Sequence, residues 1–207
     1  MYIEQTLQTY LDDLASSKPA PGGGSAAAVS GAMSAALAAM VCRLTQGKEK
    51  YAAVQDEINS LLEQAESLRQ RFQQLMGEDI EAYSRLSACF KMPREDDEQR
   101  RMRADAIQLC LQQAALVPLE MSEKAVQVAM VCERVAEIGN ANVLSDIGAA
   151  AMLAASAGTS AAWMVRINLK NLKDEAVLER LSRRLSGALD EITSRCQRVT
   201  ALVGERA

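Results

Sequence analysis

Apolar residues recur at helical spacing along most of this chain, and no stretch shows the strict alternation of apolar and polar residues that is typical of strands. Amphipathic helices are predicted from four such stretches: 3–17, 51–90, 97–138 and 177–203. Two other segments, 25–46 and 142–165, carry apolar or small residues on every side, as helices buried inside a bundle do. The pattern therefore predicts an all-α fold, a bundle of long antiparallel helices with two central Ala-rich helices.

The predicted helix 51–90 has two apolar series with a seven-residue repeat, which indicates a continuous packing seam. Their members are Val54, Leu61, Leu68 and Leu75 in one series and Ile58, Ala65, Phe72 and Leu86 in the other. The second series is interrupted at Asp79. A carboxylate at a buried position is costly unless it is paired or functional, and burial would raise its pKa. Asp79 is therefore a candidate proton-transfer residue, unless the helix drifts from the repeat and Ile80 and Tyr83 take over the buried face.

Three consecutive glycines, Gly22, Gly23 and Gly24, precede Ser25 and the first Ala-rich segment. Ser25 is expected to cap the helix, and the N–H groups of the first turn would then face an anionic or carbonyl-bearing ligand over the glycines. A flexible Gly/Ser linker is the alternative interpretation. A P-loop or a dinucleotide-binding turn is a weaker one, since no apolar strand comes before the glycines and no Gly-Lys-Ser/Thr follows them.

The second Ala-rich segment also follows a polar turn, which contains Asn140 and Asn142, and Asn142 can cap the helix. Asp146 comes directly after Ser145 in the first helical turn, where the helix dipole favours an ionised carboxylate. Asp146 is a second candidate for chemistry. The alternative is an ordinary acidic residue of a first turn.

Two lysines lie just behind the first Ala-rich helix. Gly47 should end this helix, which places Lys48 and Lys50 in the turn that follows. Ammonium groups beside a helix end are suitable for binding the carboxylates of a ligand, whereas solvated surface lysines are the alternative.

Composition narrows the classes of function. The 207 residues fit one domain, 1–207, with a sizeable core, and the net charge of −4 without a basic stripe argues against a nucleic-acid partner. The chain has no histidine and its five cysteines are widely spaced, so we expect no metal site and reduced core thiols. Proton transfer near neutral pH must then use a perturbed carboxylate, lysine, tyrosine or thiol.

Two segments, 24–42 and 147–165, are uncharged and long enough to span a bilayer. Alanine, glycine and serine make up most of both, so their transfer into lipid gains little free energy per residue. We therefore expect no membrane insertion, and two helices buried inside the bundle or at a dimer interface. No basic-then-apolar leader opens the chain, and a cytoplasmic location is expected.

Several short motifs occur together in one order along the chain. They are Pro21 to Ser25, Gly47-Lys48 before Tyr51, Asp79 with Tyr83, Gly139 to Asn142 followed by Ser145-Asp146, and Asn168 with Asn171. With these motifs the chain resembles, over essentially its whole length, the cyclodeaminase/cyclohydrolase family. That family includes the C-terminal domain of formiminotransferase-cyclodeaminase and stand-alone methenyltetrahydrofolate cyclohydrolases. The resemblance implies an all-helical homodimer that acts on folate one-carbon units without a metal or nucleotide cofactor.

The resemblance implies one of two reactions: hydrolysis of methenyl- to formyltetrahydrofolate, or release of ammonia from formiminotetrahydrofolate. A formiminotransferase domain is not present in this sequence, which favours hydrolysis. In our interpretation Asp79 transfers protons, Tyr83 orients Asp79, and Asp146 stabilises the cationic one-carbon group. The expected substrate-binding residues are Gly22, Gly23, Gly24 and Ser25 through backbone N–H groups, Lys48 and Lys50 at the glutamate tail, and Asn140, Asn142 and Ser145. The alternative is a non-catalytic helical dimer that binds a folate-like small acid or scaffolds a partner.

Overall fold

The computed structural model describes residues 2–206, and within this range it contains six α-helices and no β-strand. The helices are α1 (Leu7–Leu14), α2 (Gly23–Thr45), α3 (Gln55–Phe90), α4 (Asp97–Ile138), α5 (Leu144–Leu169) and α6 (Glu175–Arg206). Short 3-10 turns span Tyr2–Glu4, Glu49–Val54 and Ala141–Val143. The all-α prediction is confirmed. Of the predicted range 1–207, Met1 and Ala207 lie outside the described residues.

Consecutive long helices from α2 onwards run antiparallel and pack side by side. Helix α2 lies between α3 and α5, α6 packs on α5, and α4 lies behind this layer in contact with α3, α5 and α6. One end of the bundle therefore contains the beginning of α2 and the ends of α3 and α5. The opposite end contains the end of α2 and the beginning of α5, and this division determines which polar residues can meet.

Small side chains let the two Ala-rich helices, α2 and α5, approach closely. The buried hydroxyl of Ser34 in α2 donates a hydrogen bond to the carbonyl of Ala150 in α5, with 2.6 Å between the oxygens. Ser122 of α4 donates in the same way to the carbonyl of Gly158 in α5 at 3.0 Å. A short side chain can reach a carbonyl of a neighbouring helix only where the backbones are close. The predicted pairing of the Ala-rich helices is confirmed.

The packing seam of α3 is also present. Its buried residues are Ile58, Leu61, Ala65, Leu68, Phe72, Leu75, Met76, Ala82 and Leu86. Asp79 lies between Leu75 and Ala82 in this series and is half-buried, as is Ile80, whereas Tyr83 is 44% exposed. The alternative in which Tyr83 takes over the buried face is therefore wrong, and Asp79 stays on that face.

Two predicted helix caps are wrong. Helix α2 begins at Gly23, with Gly22 as its N-cap residue, so Ser25 lies inside the first turn and donates its hydroxyl to the Gly22 carbonyl at 2.9 Å. The N-cap residue of α5 is Val143, which makes no side-chain cap bond, because the 3-10 turn Ala141–Val143 precedes this helix. Asn140, and not Asn142, caps that turn by accepting a hydrogen bond from the backbone N–H of Asn142.

One face of the α2–α5 pair is exposed, so the two Ala-rich helices are covered from one side only. Its large apolar residues include Met33 in α2, and Met152, Trp163 and Ile167 in α5, with exposures between 47% and 64%. By length and composition alone, both Gly23–Thr45 and Ala141–Leu169 could cross a bilayer. A core helix of a soluble bundle meets the same criteria, and both helices contribute many residues to the core.

Gly31 in α2 faces the fully buried ring of Phe72, and a Cβ atom at this position would lie 2.3 Å from Cε1 of the ring. Gly31→Ala should therefore overpack the contact between α2 and α3 and lower the free energy of unfolding by about 1–3 kcal/mol. Gly187→Ala in α6 is the matched control, because a Cβ atom there meets open space, and it should stabilise the protein by about 0.5–1 kcal/mol. Urea titrations measure both values, and equal effects would contradict the close packing at Gly31.

Candidate active site

The candidate site begins where the N-terminus of α2 meets the last third of α3. A Cβ atom on Gly24 would lie only 2.2 Å from Oδ1 of Asp79, so this approach of the carboxylate to the helix requires glycine at position 24. The backbone N–H of Ser25 donates a hydrogen bond to the Asp79 carboxylate. The first N–H groups of a helix have no acceptor within the helix, and the N-cap residue Gly22 has no side chain that could provide one. Asp79 therefore provides an acceptor from α3.

Burial changes the acidity of this carboxylate. Desolvation raises the pKa of Asp79 from 3.8 to about 6, and the hydrogen bond from the Ser25 N–H opposes part of this rise. A carboxyl group with a pKa near neutral pH can both accept and return a proton at little cost. Asp79 therefore has the property that was predicted from its position in the seam.

Two buried hydroxyl groups, those of Ser25 and Tyr10, form a hydrogen bond beside the first turn of α2. Ser25 is fully buried, and its Oγ lies 3.2 Å from the hydroxyl oxygen of Tyr10, which is 6% exposed. Tyr10 comes from α1, so this short helix is joined to the beginning of α2 by a hydrogen bond. Ser25 Oγ thus has partners in Tyr10 and in the Gly22 carbonyl, and the predicted contact of the Ser25 backbone N–H with a ligand stays a prediction. Sequence analysis did not select Tyr10, since its spacing does not differ from that of an ordinary core aromatic.

A cavity of about 370 Å³ opens in front of Asp79 and Gly24. Its lining comes from four places: the 19–24 turn with the beginning of α2, the end of α3, the first half of α4 and the end of α5. The apolar lining includes Ile80, Leu86, Phe90, Leu111, Met164 and Ile167, and the polar lining includes Asp79, Tyr83, Asn168 and Asn171. A mostly apolar cavity with a few polar groups is typical of a site for a small organic ligand.

The cavity contains five of the residues expected from the sequence: Gly22, Gly23, Gly24, Asp79 and Tyr83. Tyr83 lies one helical turn beyond Asp79, and the hydrogen bond given to Asp79 comes from the Ser25 backbone. The predicted role of Tyr83 in orienting Asp79 stays a prediction.

Apart from Ser25, the other expected site residues lie at the opposite end of the bundle. Helix α2 is 23 residues long, so its ends are about 34 Å apart, and Lys48 and Lys50 follow the far end. Both lysines are exposed, and Nζ of Lys50 lies 5.6 Å from the ring centroid of Tyr51. Ser145 and Asp146 begin α5 at this same end, which we call the lysine end of the bundle. Within one protomer, none of these residues can contact a ligand that is bound beside Asp79.

Of the two asparagines at the lysine end, Asn140 has a structural role. Asn140 is 3% exposed, and its amide donates to the carbonyl of Leu44 at 3.0 Å. Its backbone N–H donates to Oγ1 of Thr45, and its Oδ1 accepts from the N–H of Asn142. The hydroxyl of Tyr51 accepts from the N–H of Ala141. Asn140 thus joins the end of α2 to the turn before α5, whereas Asn142 is exposed.

None of the five cysteines belongs to the cavity lining. Cys42, Cys132 and Cys196 are buried, as expected for core thiols, and Cys89 and Cys110 are half-buried with 2.8 Å between their sulfurs. Among residues 2–206, no three His, Cys, Asp or Glu side chains are grouped as they would be to hold a metal ion.

These features define a class of protein: an α-helical bundle with a small-molecule cavity at one end and a buried carboxylate of raised pKa in the cavity wall. The profile of the Formiminotransferase-cyclodeaminase family matches residues 6–187. The chain belongs to this family, as its motifs indicated.

Three relatives show how the similarity is distributed. The methenyltetrahydrofolate cyclohydrolase of Methylorubrum extorquens is 42% identical over 195 residues, which cover 94% of each chain. The formimidoyltransferase-cyclodeaminase of Rattus norvegicus is 30% identical over 91% of this chain, which spans only 35% of that longer protein. The crystal structure of formiminotetrahydrofolate cyclodeaminase from Thermotoga maritima superposes with a TM-score of 0.90 at 30% identity, covering 99% of this chain and 98% of that one.

The raised pKa of Asp79 predicts how stability depends on pH. A carboxyl group whose pKa rises on folding from 3.8 to about 6 binds more protons in the folded than in the unfolded state at intermediate pH. Its contribution to stability is therefore present below about pH 4 and lost as the pH rises through about 6. Relative to Asp79→Asn, which does not titrate, the wild type should lose on the order of 2–3 kcal/mol between pH 4 and 7.

Urea unfolding of both proteins at pH 4, 5, 6 and 7 measures this difference. Parallel stability curves for wild type and Asp79→Asn would show that Asp79 has an ordinary pKa in the folded protein.

Proposed function

We propose that this chain hydrolyses methenyltetrahydrofolate to formyltetrahydrofolate. The protein is a folate one-carbon enzyme by family, and the cyclohydrolase relative supports the hydrolytic reaction because it is 42% identical and similar over almost its entire length. The single observation that supports catalysis at this site is the Asp79 carboxylate, which is buried in the wall of the cavity with a pKa of about 6.

In this mechanism, Asp79 acts first as a base and then as an acid. A water molecule attacks the methenyl carbon, a C–O bond forms, and Asp79 takes a proton from the attacking water. The resulting tetrahedral carbon, which still carries a hydroxyl group, then loses its bond to one of the two folate nitrogens, and Asp79 returns its proton to that nitrogen. The formyl C=O bond forms as the remaining hydroxyl proton is released to solvent, which balances the positive charge of the methenyl substrate. The carboxylate is regenerated, so proton transfer needs no histidine, and we propose that the reaction needs no metal or nucleotide cofactor.

The first turn of α2 has a second role in the proposal. Gly22, Gly23 and Gly24 line the cavity, and a Cβ atom on Gly22 would meet no other atom within 4 Å, so the ligand can approach the backbone there. N–H groups at the beginning of a helix stabilise negative charge. They are therefore suitable for the oxygen that becomes the formyl oxygen, while the apolar lining removes the flat pterin ring from water.

Release of ammonia from formiminotetrahydrofolate is the second candidate reaction. It is supported by the fold of the Thermotoga maritima protein, whose name describes that activity. Both reactions pass through a tetrahedral carbon between two nitrogens, so Asp79 can serve either one. Loss of the near-ultraviolet absorbance of methenyltetrahydrofolate, measured beside ammonia release from formiminotetrahydrofolate, distinguishes them. A protein that binds folate and turns over neither compound would be the non-catalytic dimer.

We also propose that the protein is a homodimer that packs through the exposed face of α2 and α5. This face is uncharged over most of its length and presents large apolar side chains, as interfaces between subunits do. Ile167 belongs both to this face and to the cavity, so the proposed interface continues to the mouth of the site. A cytoplasmic location stays a prediction.

A dimer can bring together expected site residues that lie at opposite ends of one protomer. If the two-fold axis lies in the plane of the interface and crosses the helices, the lysine end of one protomer meets the Asp79 end of the other. Asp146, Ser145 and Asn142 of one subunit could then face the one-carbon group in the other, and Lys48 and Lys50 the glutamate tail. We retain the predicted roles of these residues only for such a site, which two subunits share.

Asp79→Asn should lower kcat by about two orders of magnitude or more, because the amide keeps the shape of the carboxylate and cannot transfer protons. In the wild type, kcat/KM should rise with pH with a midpoint near 6 as Asp79 ionises, and the residual activity of the variant should not show this titration. Asp105→Asn, at an exposed position of α4, is the matched control and should keep wild-type turnover. Asp79→Leu should also abolish activity, and a leucine variant with normal turnover would end the catalytic interpretation.

A complementation experiment tests the shared site. Asp79→Asn and Asp146→Asn should each be inactive as homodimers. In mixed dimers, one of the two shared sites carries both substitutions and the other carries none, so mixing equal amounts should restore about a quarter of wild-type activity. Light scattering should show a dimer at micromolar concentration. A stable monomer would contradict the interface, and an inactive mixture of exchanging dimers would contradict the shared site.

A further inference from the structure

Pro118 lies in the middle of α4 and changes the hydrogen bonding of the turn before it. A proline has no backbone N–H, so the carbonyl four residues earlier, that of Ala114, loses its ordinary donor within the helix. Ala114 belongs to the lining of the cavity. The proline therefore leaves an unpaired carbonyl beside the candidate active site.

The side-chain amide of Asn168 in α5 donates a hydrogen bond to this carbonyl. Its Nδ2 donates to the carbonyl of Ala114 at 3.0 Å and to the carbonyl of Met164, one turn back in α5, at 2.9 Å. An amide nitrogen has two hydrogens, and both are now used. Because both neighbours are carbonyl oxygens, only the nitrogen can face them, and the orientation of the amide is determined.

The remaining polar atom of this amide is Oδ1, an acceptor without a competing donor function. Asn168 is half-buried and lines the cavity next to Met164 and Ile167, in a wall that is otherwise mostly apolar. Since the two hydrogen bonds of Nδ2 hold the side chain, Oδ1 is a rigid acceptor. A rigid acceptor in an apolar wall favours a ligand with an N–H group at that place and disfavours one with a lone pair there.

We propose that Asn168 is a specificity-determining residue whose Oδ1 accepts a hydrogen bond from an N–H group on the edge of the pterin ring. This inference rests on the proposed function, because the pterin is the part of a folate that is both flat enough for the apolar cavity and rich in N–H donors. Pro118 is then a positioning residue, which acts by leaving the Ala114 carbonyl free for the amide of Asn168.

Three variants of the full chain test this assignment: Asn168→Leu, Pro118→Ala and the double variant. Asn168→Leu removes the acceptor and also leaves the Ala114 carbonyl unpaired, so it should lower the melting temperature as well as weaken binding. Pro118→Ala restores the helical donor to that carbonyl. The double variant therefore lacks the acceptor but has no unpaired carbonyl, and it separates recognition from stability.

The readouts are KM and kcat for methenyltetrahydrofolate, Kd for 5-formyltetrahydrofolate by calorimetry, and the melting temperature. Asn168→Leu should raise KM and Kd about tenfold and change kcat less than about threefold, because the hydrogen bond is equal in the ground and transition states. In the double variant, the melting temperature should return to that of Pro118→Ala while KM and Kd stay raised. Pro118→Ala alone should raise KM about two- to fivefold, less than Asn168→Leu, because the amide then competes with a helical donor for the Ala114 carbonyl and is held mainly by its hydrogen bond to Met164.

A double variant in which KM and Kd return to wild-type values together with the melting temperature would overturn the proposal, and so would an unchanged KM in Asn168→Leu. The proposed function fails separately if the wild type binds 5-formyltetrahydrofolate but does not turn over methenyltetrahydrofolate. In that case the calorimetric comparison still tests Asn168. A wild type that binds no reduced folate would overturn both.

Discussion

The meeting of a carboxylate with the N-terminus of a helix is the constraint on which the candidate site depends. Asp79 lies on the packing face of α3 and approaches α2 so closely that only glycine fits at position 24. The Ser25 N–H stabilises the ionised form, while burial favours the protonated form and has the larger effect, so the pKa rises to about 6. The same contact therefore gives the first turn of α2 an acceptor from α3 and places a carboxyl group of raised pKa in the cavity wall.

Small residues let the Ala-rich helices pack closely, and they also leave one face of the α2–α5 pair uncovered. The bridges from Ser34 and Ser122 show how closely α2 and α4 approach α5, which a bundle of leucine-rich helices does not permit. Such close packing fills the inner side of the α2–α5 pair, but it leaves the outer side apolar and exposed. A second copy of the chain is the cover that we propose, because it would also bring the lysine end to the site.

The cavity wall formed by α4 and α5 depends on a different interaction. Pro118 removes a donor from α4, and the amide of Asn168 replaces it across the gap between α4 and α5. A local defect in one helix is thus used to hold a polar side chain of another helix in one orientation. Tyr10 has a comparable position behind Ser25, where α1 is joined to the beginning of α2. In both cases a side-chain hydrogen bond joins two helices beside the cavity.

The helices, the pairing of the two Ala-rich segments and the place of Asp79 on a packing face could be predicted from the sequence, because each depends on a pattern along one helix. Gly22, Gly23 and Gly24 were also found, since three glycines before a helix are a local signal. By contrast, the fold alone shows that Asp146, Lys48 and Lys50 lie at the opposite end of the bundle from Asp79, with the length of α2, about 34 Å, between the two ends. It also decided the roles of Tyr10, Asn140 and Asn168, because their hydrogen bonds join residues that are distant along the chain, and no spacing in the sequence records such contacts.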